Sequence, residues 1–562
     1  MHNEGHEAIV MGPDTGLKEY LGHPVVGTFG IPILVYPGLK LNFARLRFIR
    51  RLQQFRPDVV HFVDPIWLGA QMIPLCKFYL PNVPRVSSYH TNLPTYASLF
   101  GCGFLEPVMW KLTRSLHNQC HMVFCPSEST RRMLQARGFE NVEIWGRGVD
   151  VDIFTPAARD ENLRESWGCK PKSQALLDTL HDQALSLGPN KRLSPEDAFI
   201  RTPDTIPVSE LSPPPAYESL TDVPPLPGTS FALPPALLDA SVDQAMPTTS
   251  AAQDSDSKAV VLFVGRISWE KNIRLLVEAF HLLPHSVKNN AKLVIVGDGP
   301  ARAELTRLCQ KYGLDASFMG HQKGKRLASM YASSSIFAFP SFTETFGQVV
   351  LEALASGLPV VGLHAEGTSD LVCHGTTGLL LDTQRAVSAD DASPAPVPAA
   401  STAPQQDPNA VHLGEQTPLP TSSGRAVPVA AAGHLKPGLS SPIPSVKEFA
   451  MIMSHNTRSF HQCAQAYSIL LECLIRDRTL RATMGQRAQE YASNKTWWDA
   501  MEAPIRGYEQ VIAKAGRTNL TDAELEALRN AQRKIAPLSG PYITALVALY
   551  LAFFIVMWTY LL

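Results

Sequence analysis

Two cationic side chains follow an apolar run in the middle of the chain, at a spacing that suits a phosphorylated ligand. The run Ala259–Val264 ends at Gly265, and Arg266 and Lys271 follow five residues apart. Six apolar residues in succession predict a buried parallel strand, and open α/β sheets bind ligands beyond the carboxyl ends of such strands. Glycine lets the backbone approach a ligand, and cations beside the amides that open the next helix attract anions. We therefore expect Gly265, Arg266 and Lys271 to bind a diphosphate.

Two carboxylates lie beyond a second apolar run. Residues 336–339 predict another buried strand, which Pro340 ends, and residues 347–355 predict the helix after it. Glu344 lies in the loop between them, and Glu352 lies in the helix. Carboxylates repel a diphosphate but accept hydrogen bonds from the paired hydroxyls of a ribose or another sugar. One pocket would then hold cations for phosphate and carboxylates for sugars. The alternative is that both glutamates are ordinary charges near helix ends.

The two patterns, Gly-Arg-x4-Lys and Glu-x-Phe-Gly-x4-Glu, together resemble the donor site of family 4 retaining glycosyltransferases. This resemblance implies the α/β fold called GT-B, in which two Rossmann-like domains face a cleft. It implies that Arg266 and Lys271 bind the donor diphosphate, that Glu344 contacts the transferred sugar, and that Glu352 contacts the ribose. The other motif positions implied to bind the donor are Gly265, Phe346 and Gly347.

A histidine follows another predicted strand in the first part of the chain. Residues 83–89 predict that strand, and His90 comes directly after it. A lone histidine is more often structural than functional. The Ser-Tyr-His-Thr stretch, however, resembles the N-domain histidine of the same family, which implies that His90 contacts the sugar near its reacting carbon. Residues 104–150 resemble the lipid-directed branch, the sulfoquinovosyl-diacylglycerol synthases and related bacterial mannosyltransferases.

Composition excludes several other classes of protein. A net charge of −1 over 562 residues excludes a strongly basic nucleic-acid binder. Nine cysteines without a C-x2-C pair suggest neither a zinc site nor a disulfide framework, which fits a reducing compartment. The residues after Met1 are not an apolar signal segment. Asp150-Val151-Asp152 has the spacing of a metal site, but it matches the Gly-Val-Asp hinge of the family, and Arg266, Lys271 and helix amides neutralise a diphosphate without a metal.

Two proline-rich segments interrupt the predicted fold. Residues 171–257 contain 14 prolines and residues 384–445 contain 11, a composition that predicts disorder. The predicted organisation is an acceptor-side domain at 1–165 that lacks its first strand, the insert 171–257, a donor-binding domain made of 258–383 and 446–515, the insert 384–445, a stalk at 516–540 and a tail anchor at 541–562.

The end of the chain predicts a transmembrane helix. Residues 542–562 carry no charge, and 21 residues at about 1.5 Å each are enough to cross a hydrocarbon core of about 30 Å. Arg529, Arg533 and Lys534 precede this stretch and no lysine or arginine follows it. This asymmetry predicts a single-pass tail anchor in the endoplasmic reticulum or another endomembrane, with the preceding domains in the cytosol.

Two further segments suggest surface contacts. Residues 41–55 predict an amphipathic helix with Arg45, Arg47, Arg50 and Arg51 away from its apolar face, which indicates either contact with anionic lipid or a solvated face of a core helix. Within the first insert, Pro214, Pro215 and Tyr217 form a Pro-Pro-x-Tyr sequence that suits a WW-domain partner.

These expectations combine into one function and two alternatives. We expect a membrane-anchored retaining glycosyltransferase that moves a hexose or sulfoquinovose-like sugar from a UDP- or GDP-linked donor to a lipid acceptor, with no metal and no nucleic-acid partner. The first alternative is a degenerate GT-B protein that serves as a membrane-tethered scaffold for WW-domain proteins. The second, a sugar phosphorylase on the same fold, requires a pyridoxal-binding lysine environment that the sequence does not display.

Overall fold

The computed structural model describes residues 5–32, 40–65, 67–99, 103–169, 258–388, 442–454 and 457–516, together with residues 523, 524, 526 and 527. Parallel β-sheets organise these residues into two α/β units, one before residue 170 and one after residue 257.

The first unit begins with short strands and continues into a four-stranded parallel sheet. The early strands are Val10–Pro13 (β1), Glu19–Tyr20 (β2), His23–Thr28 (β3), Gly30–Pro32 (β4) and Lys40–Asn42 (β5). The parallel sheet consists of Val60–Val63 (β6), Arg85–Ser88 (β7), Met122–Cys125 (β8) and Val142–Ile144 (β9), in that order across the sheet. Every residue of β7 and β8 is buried, as expected for central strands covered on both faces.

Six α-helices accompany these strands in the described residues. They are Leu46–Phe55 (α1), Leu68–Tyr79 (α2), Leu93–Leu99 (α3), Glu106–His117 (α4), Glu128–Ala136 (α5) and Glu161–Ser166 (α6). The helix predicted over residues 41–55 is therefore too long at its start. Lys40–Asn42 pairs with β4, and the amide of Ala44 donates to Gln71 Oε1 at 3.0 Å, so these residues have partners other than a helical turn.

The second unit is a six-stranded parallel sheet with the strand order β12-β11-β10-β13-β14-β15. Its strands are Ala259–Val264 (β10), Ala291–Val296 (β11), Ala316–Phe318 (β12), Ile336–Phe339 (β13), Val360–Leu363 (β14) and Gly378–Leu381 (β15). The chain builds outward from β10 to β12 and then returns to add β13, β14 and β15 on the other side of β10. Strand order reverses between β10 and β13, and open α/β sheets bind ligands beyond the carboxyl ends of the strands at this switch point.

The helices of the second unit are Ile273–Leu282 (α7), His285–Lys288 (α8), Arg302–Lys311 (α9), Gly324–Ala332 (α10), Gln348–Ala355 (α11), Thr368–Leu371 (α12), Thr383–Ser388 (α13), Val446–Ile452 (α14), Arg458–Arg476 (α15), Arg478–Ser493 (α16) and Trp497–Lys514 (α17). Helix α13 lies within the first residues of the segment predicted as the second insert, 384–445. Helix α15 packs against α7, so residues 458–476 belong to this unit.

The last described helix returns to the first unit. Tyr508 of α17 is hydrogen-bonded through its hydroxyl to His61 Nδ1 of β6 at 2.7 Å. Val511 is buried among Met122 and Phe124 of β8. Helix α17 therefore covers the sheet of the first unit although the sequence places it after the second.

Several predicted segments lie outside the described residues. They include nearly all of both inserts, most of the stalk, the tail anchor at 541–562, and the WW-domain sequence at Pro214, Pro215 and Tyr217. Among the helices that the structure does describe, none is both long enough and apolar enough to cross a bilayer.

Candidate active site

The loops after β10 and β13 lie side by side at the switch point. Asn272 precedes α7 and donates through Nδ2 to the carbonyl of Pro340, the residue that ends β13, at 3.2 Å. The hydroxyl of Thr343 donates to the carbonyl of Glu270 at 3.3 Å. These two bonds join the loop that contains the cationic motif to the loop that contains the first carboxylate.

Lys271 and Glu344 form an ion pair across these two loops. Lys271 Nζ donates to Glu344 Oε1, and the two side chains keep only 16% and 22% of their exposure. Partial burial strengthens the attraction between the charges, because less water screens them. The motifs assigned the cation to a diphosphate and the carboxylate to a sugar. The structure brings the two side chains together and makes each a partner of the other.

The other residues that were predicted to bind the donor lie in different environments. Arg266 is exposed and directly follows Gly265 in the loop after β10. A Cβ at Gly297 would lie 1.9 Å from the carbonyl oxygen of Gly265, so a glycine there lets the loop after β11 approach the cationic loop. Phe346 is 7% exposed and packs in the core of the second unit. Gly347 has φ +89° and precedes α11 in a left-handed conformation. Their roles in binding stay predictions.

Glu352 lies on α11 in a largely buried setting. Tyr331 donates its hydroxyl to Glu352 Oε2 at 3.1 Å, and the side chain of Gln348 is a second hydrogen-bond partner. Burial raises the pKa of Glu352 to about 7, although both hydrogen bonds oppose the change. This carboxyl group therefore accepts a proton near neutral pH, which an ordinary charge at a helix end would not do.

The raised pKa of Glu352 predicts a pH-dependent stability. Its ordinary value is 4.5, so between pH 4.5 and 7 the folded protein binds more protons than the unfolded chain, and stability falls as pH rises through this window. We expect Glu352→Gln to reduce the fall and to raise the free energy of unfolding at pH 8 by about 3 kcal/mol. Urea denaturation at pH 5 and pH 8 measures both effects. Glu140→Gln, at an exposed site, is the control, and an equal gain in both variants would contradict the assignment.

His90 lies at the carboxyl end of β7 and is held by the carboxylate of Asp64, which follows the neighbouring strand β6. Asp64 Oδ1 accepts the backbone amides of His90 and Thr91 at 2.7 and 3.1 Å, and Asp64 Oδ2 accepts the Thr91 hydroxyl at 2.6 Å. The His90 ring lies edge-on to Trp145, and its buried Nδ1 has no hydrogen-bond partner in the described part of the chain. Burial lowers the pKa of His90, so the ring is neutral at neutral pH.

Hydrogen bonds connect the His90 region to the second unit. The hydroxyl of Thr345 donates to the carbonyl of His90 at 2.8 Å, and Thr130 donates its hydroxyl to the carbonyl of Thr345 at 3.2 Å. Asp370 accepts the amide of Ser129 at 3.1 Å and also its hydroxyl. Since Thr345 directly follows the first carboxylate of the motif, the structure places the predicted sugar-contacting residues of both units at one interface.

Sequence reasoning missed four residues at this interface. Asp64 directly follows β6, just as His90 directly follows β7. A polar residue at the end of a predicted strand could therefore have indicated it. Thr345 lies inside the second motif. Glu366 and Asp370 follow β14, a buried strand after which the motifs predict no site residue. Burial raises the pKa of Glu366 to about 7; Arg137 opposes the change and Asp370 adds to it.

Asp150, the first residue of the acidic triplet, has a structural partner. Its Oδ1 accepts the backbone amides of Asp152 and Ile153, each at 3.2 Å. The side chain thus closes a turn of its own segment, which accounts for an aspartate there without a metal. The absence of a metal requirement stays a prediction.

Known proteins resemble both units of this chain in sequence. The family profile described as "Glycosyltransferase Family 4" matches residues 1–153, and that described as "Glycosyl transferases group 1" matches residues 247–393. A GDP-mannose-dependent alpha-mannosyltransferase of Mycolicibacterium smegmatis is 30% identical over 389 residues, which cover 68% of this chain and 77% of that protein. A sulfoquinovosyl transferase of Arabidopsis thaliana is 27% identical over 386 residues, which cover 67% of this chain and 58% of that protein.

A solved structure supports the fold. Sucrose-phosphate synthase from Thermosynechococcus elongatus superposes with a TM-score of 0.51 at 14% sequence identity, covering 91% of each chain. The two-unit GT-B architecture is therefore confirmed, with the paired motif residues at the switch point of its second unit. On these matches the chain belongs to glycosyltransferase family 4 and is a glycosyltransferase of the GT-B fold.

Proposed function

We propose that this glycosyltransferase is membrane-anchored and retaining, and that it moves a hexose or sulfoquinovose-like sugar from a UDP- or GDP-linked donor to a lipid hydroxyl. The observation that carries the donor half is the Lys271–Glu344 pair at the switch point. The names of the two relatives above, one a GDP-mannose-dependent enzyme and one a sulfoquinovosyl transferase, support a nucleotide-linked donor and this range of sugars.

The ion pair provides a way to bind both parts of a sugar nucleotide. A diphosphate that enters the loop after β10 competes with Glu344 for Lys271, and Arg266 supplies a second cation in the same loop. Displacement of Glu344 frees its two oxygens to accept hydrogen bonds from sugar hydroxyls. Binding of the donor thus replaces the Lys271–Glu344 ion pair with contacts from Lys271 and Arg266 to the diphosphate and from Glu344 to the sugar. The charge of the departing diphosphate is neutralised by side chains, so no metal is required in this scheme.

His90 supports the proposed position of the transferred sugar. Its neutral ring and unpartnered Nδ1 lie on the first unit, and its carbonyl is bonded to the residue after Glu344. A sugar held by Glu344 then lies between the two units, where the resemblance places the reacting carbon. In the front-face reaction usually described for this family, an oxygen of the donor phosphate takes the proton of the attacking hydroxyl, and the sugar keeps its anomeric configuration.

A product analysis tests this function. The full chain in phospholipid vesicles is supplied in turn with UDP- and GDP-linked sugars and with lipid acceptors that carry a free hydroxyl. We expect release of one nucleoside diphosphate to match formation of a glycolipid whose anomeric configuration, measured by NMR, equals that of the donor. A product of inverted anomeric configuration would contradict the retaining mechanism. Release of the nucleoside diphosphate by hydrolysis alone, without a glycolipid product, would contradict the lipid acceptor.

The tail anchor makes a prediction about topology. Asn494-Lys495-Thr496 and Asn519-Leu520-Thr521 are acceptor sequons, and Asn494 is exposed at the end of α16. A cytosolic catalytic domain does not meet the glycosylation machinery, so we expect both asparagines to stay unmodified in cells. A short tag with one sequon after Leu562 serves as the control, because its glycosylation reports insertion of the span. A mobility shift with an N-glycosidase that Asn494→Gln and Asn519→Gln abolish would place the domains in the lumen.

A further inference from the structure

The short helix α14 has contacts with both units. Ser445 begins it with a capping box: the Ser445 hydroxyl accepts the amide of Glu448 at 3.3 Å, and the Glu448 carboxylate accepts the amide of Ser445 at 2.6 Å. A capping box satisfies two of the amides that the start of a helix leaves without an intrahelical acceptor. The helix is therefore defined at its first turn, and its side chains have fixed directions.

One side of α14 packs on the loop that contains Glu344. The buried Phe449 ring stacks on Phe342, with the ring centroids 5.1 Å apart and an angle of 13° between the planes. Phe342 lies two residues before Glu344, and Thr343 between them is bonded to the loop of Lys271. Buried aromatic rings that fill their packing site move little. Helix α14 therefore limits the movement of the loop that positions Glu344.

A second side chain of α14 is paired with the first unit. Lys447 Nζ lies 2.9 Å from Glu106 Oε2, at the start of α4, and Glu106 is only 15% exposed. The same carboxylate accepts the hydroxyl of Ser98 in α3 and the indole N–H of Trp110, the latter at 3.3 Å. Burial opposes ionisation of Glu106, but its hydrogen bonds to Ser98 and Lys447 lower its pKa. Glu106 is thus charged at neutral pH and joins α14 to α3.

Helix α3 connects this contact with His90. The hydroxyl of Tyr89 donates to Asn92 Oδ1 at 3.1 Å, and the same oxygen accepts the amide of Thr95, in the first turn of α3, at 3.4 Å. His90 lies between Tyr89 and Asn92 in the chain, and its carbonyl accepts the hydroxyl of Thr345. Helix α3 is thus tied to the His90 segment at its start and to α14 near its end. Helix α14 links the two units in addition to the direct bond between Thr345 and His90.

We propose that Phe449 and Lys447 are positioning residues for sugar transfer, because through them α14 holds the Glu344 loop of one unit against α3 of the other. Their two contacts are called the α14 link here. This inference rests on the proposed site between the units and adds the element that fixes the distance across it. A sugar held by Glu344 reacts only while the His90 side is in place, so kcat follows the population of the joined arrangement. Nucleotide affinity does not, since the cationic loop lies within the second unit.

Hydrogen exchange of the full chain tests the link without donor or acceptor. Lys447→Glu places a second carboxylate beside Glu106, so α14 should separate from α3. The amide of Ser129, in the first turn of α5, is bonded to Asp370 of the other unit, and we expect it to exchange about fivefold faster than in the native chain. Lys447→Arg keeps the charge and should exchange at the native rate. Arg476→Glu, which reverses a similarly exposed cation within α15, is the control and should also leave exchange unchanged.

Transfer measurements show whether the link serves the reaction. UDP-glucose and GDP-mannose are supplied to the chain in phospholipid vesicles that contain diacylglycerol. We expect kcat to fall about three- to tenfold in Lys447→Glu, whereas calorimetric titration with UDP and GDP gives native affinity. Phe449→Leu keeps an apolar side chain but removes the ring that stacks on Phe342, so it should have the same two effects.

The two measurements have separate contradicting outcomes. Native exchange rates in both Lys447→Glu and Phe449→Leu would overturn the α14 link. Faster exchange with native kcat would overturn its role in transfer, and equal losses in Lys447→Arg and Lys447→Glu would show that charge is not the cause. A native chain that transfers no sugar contradicts the proposed function instead, whereas the exchange rates decide for or against the link by themselves.

Discussion

Lys271→Ala should lower kcat/KM for sugar transfer by about 100- to 1000-fold while leaving the fold intact. The ammonium group is the cation of the switch-point loop that Glu344 already neutralises, and the donor diphosphate would take the place of that carboxylate. Its loss removes a charge-assisted hydrogen bond to the leaving group and leaves Glu344 as an uncompensated negative charge that repels the donor. Calorimetric titration with UDP and GDP should show affinity reduced by roughly 10- to 100-fold for whichever nucleotide the native protein binds.

A lysine for comparison lies at the amino end of β10, the end of this strand opposite to the switch-point loops. Lys258 precedes β10 and is paired with Asp315 at 2.7 Å, so Lys258→Ala also removes one ion pair from the second unit. This control should leave transfer and nucleotide affinity unchanged. Loss of the Lys271 pair should cost about 1 kcal/mol of stability or less, because neither side chain is deeply buried. Native transfer rates in Lys271→Ala would show that the cationic loop does not hold the donor.

Glu344→Gln should lower the transfer rate by about 100-fold and yet preserve or strengthen nucleoside diphosphate binding. The amide keeps the size of the side chain but removes the charge that occupies Lys271, so a diphosphate no longer has to displace it. The sugar, in contrast, loses an anionic acceptor for its hydroxyls, and charge-assisted hydrogen bonds are roughly twice as strong as neutral ones. Opposite effects on nucleotide affinity and on transfer are therefore the signature of this site.

Glu278 supplies the matched control for this change. It is paired with Arg274, accepts the hydroxyl of Tyr312, and is 18% exposed compared with 22% for Glu344. Glu278→Gln should change neither transfer nor nucleotide binding. If Glu344→Gln weakens nucleotide binding and transfer together, the Lys271–Glu344 pair only supports the loop and does not exchange partners with the donor.

Local sequence was sufficient for the two strands that precede the predicted donor site and for the family of the chain. The apolar runs at 259–264 and 336–339 each form a buried strand, because a parallel strand covered on both faces needs apolar side chains at every position. The order of the two motifs along the chain, with their glycines, predicted the family, which the comparisons confirm. Helix periodicity alone was less accurate at 41–45, where hydrogen bonds to β4 and Gln71 replace the first helical turn.

The partners of those groups were decided by the tertiary structure. Lys271 and Glu344 are 73 residues apart, and Thr345 and His90 are 255 residues apart, so no local pattern relates them. They meet because strand order reverses between β10 and β13 and because the two units face each other at this point. The raised pKa of Glu352 has the same origin, since packing around α11 removes its solvent. Residue type and spacing thus determined which chemistry the chain carries, whereas charge pairing and desolvation depend on distances that only the packed fold sets.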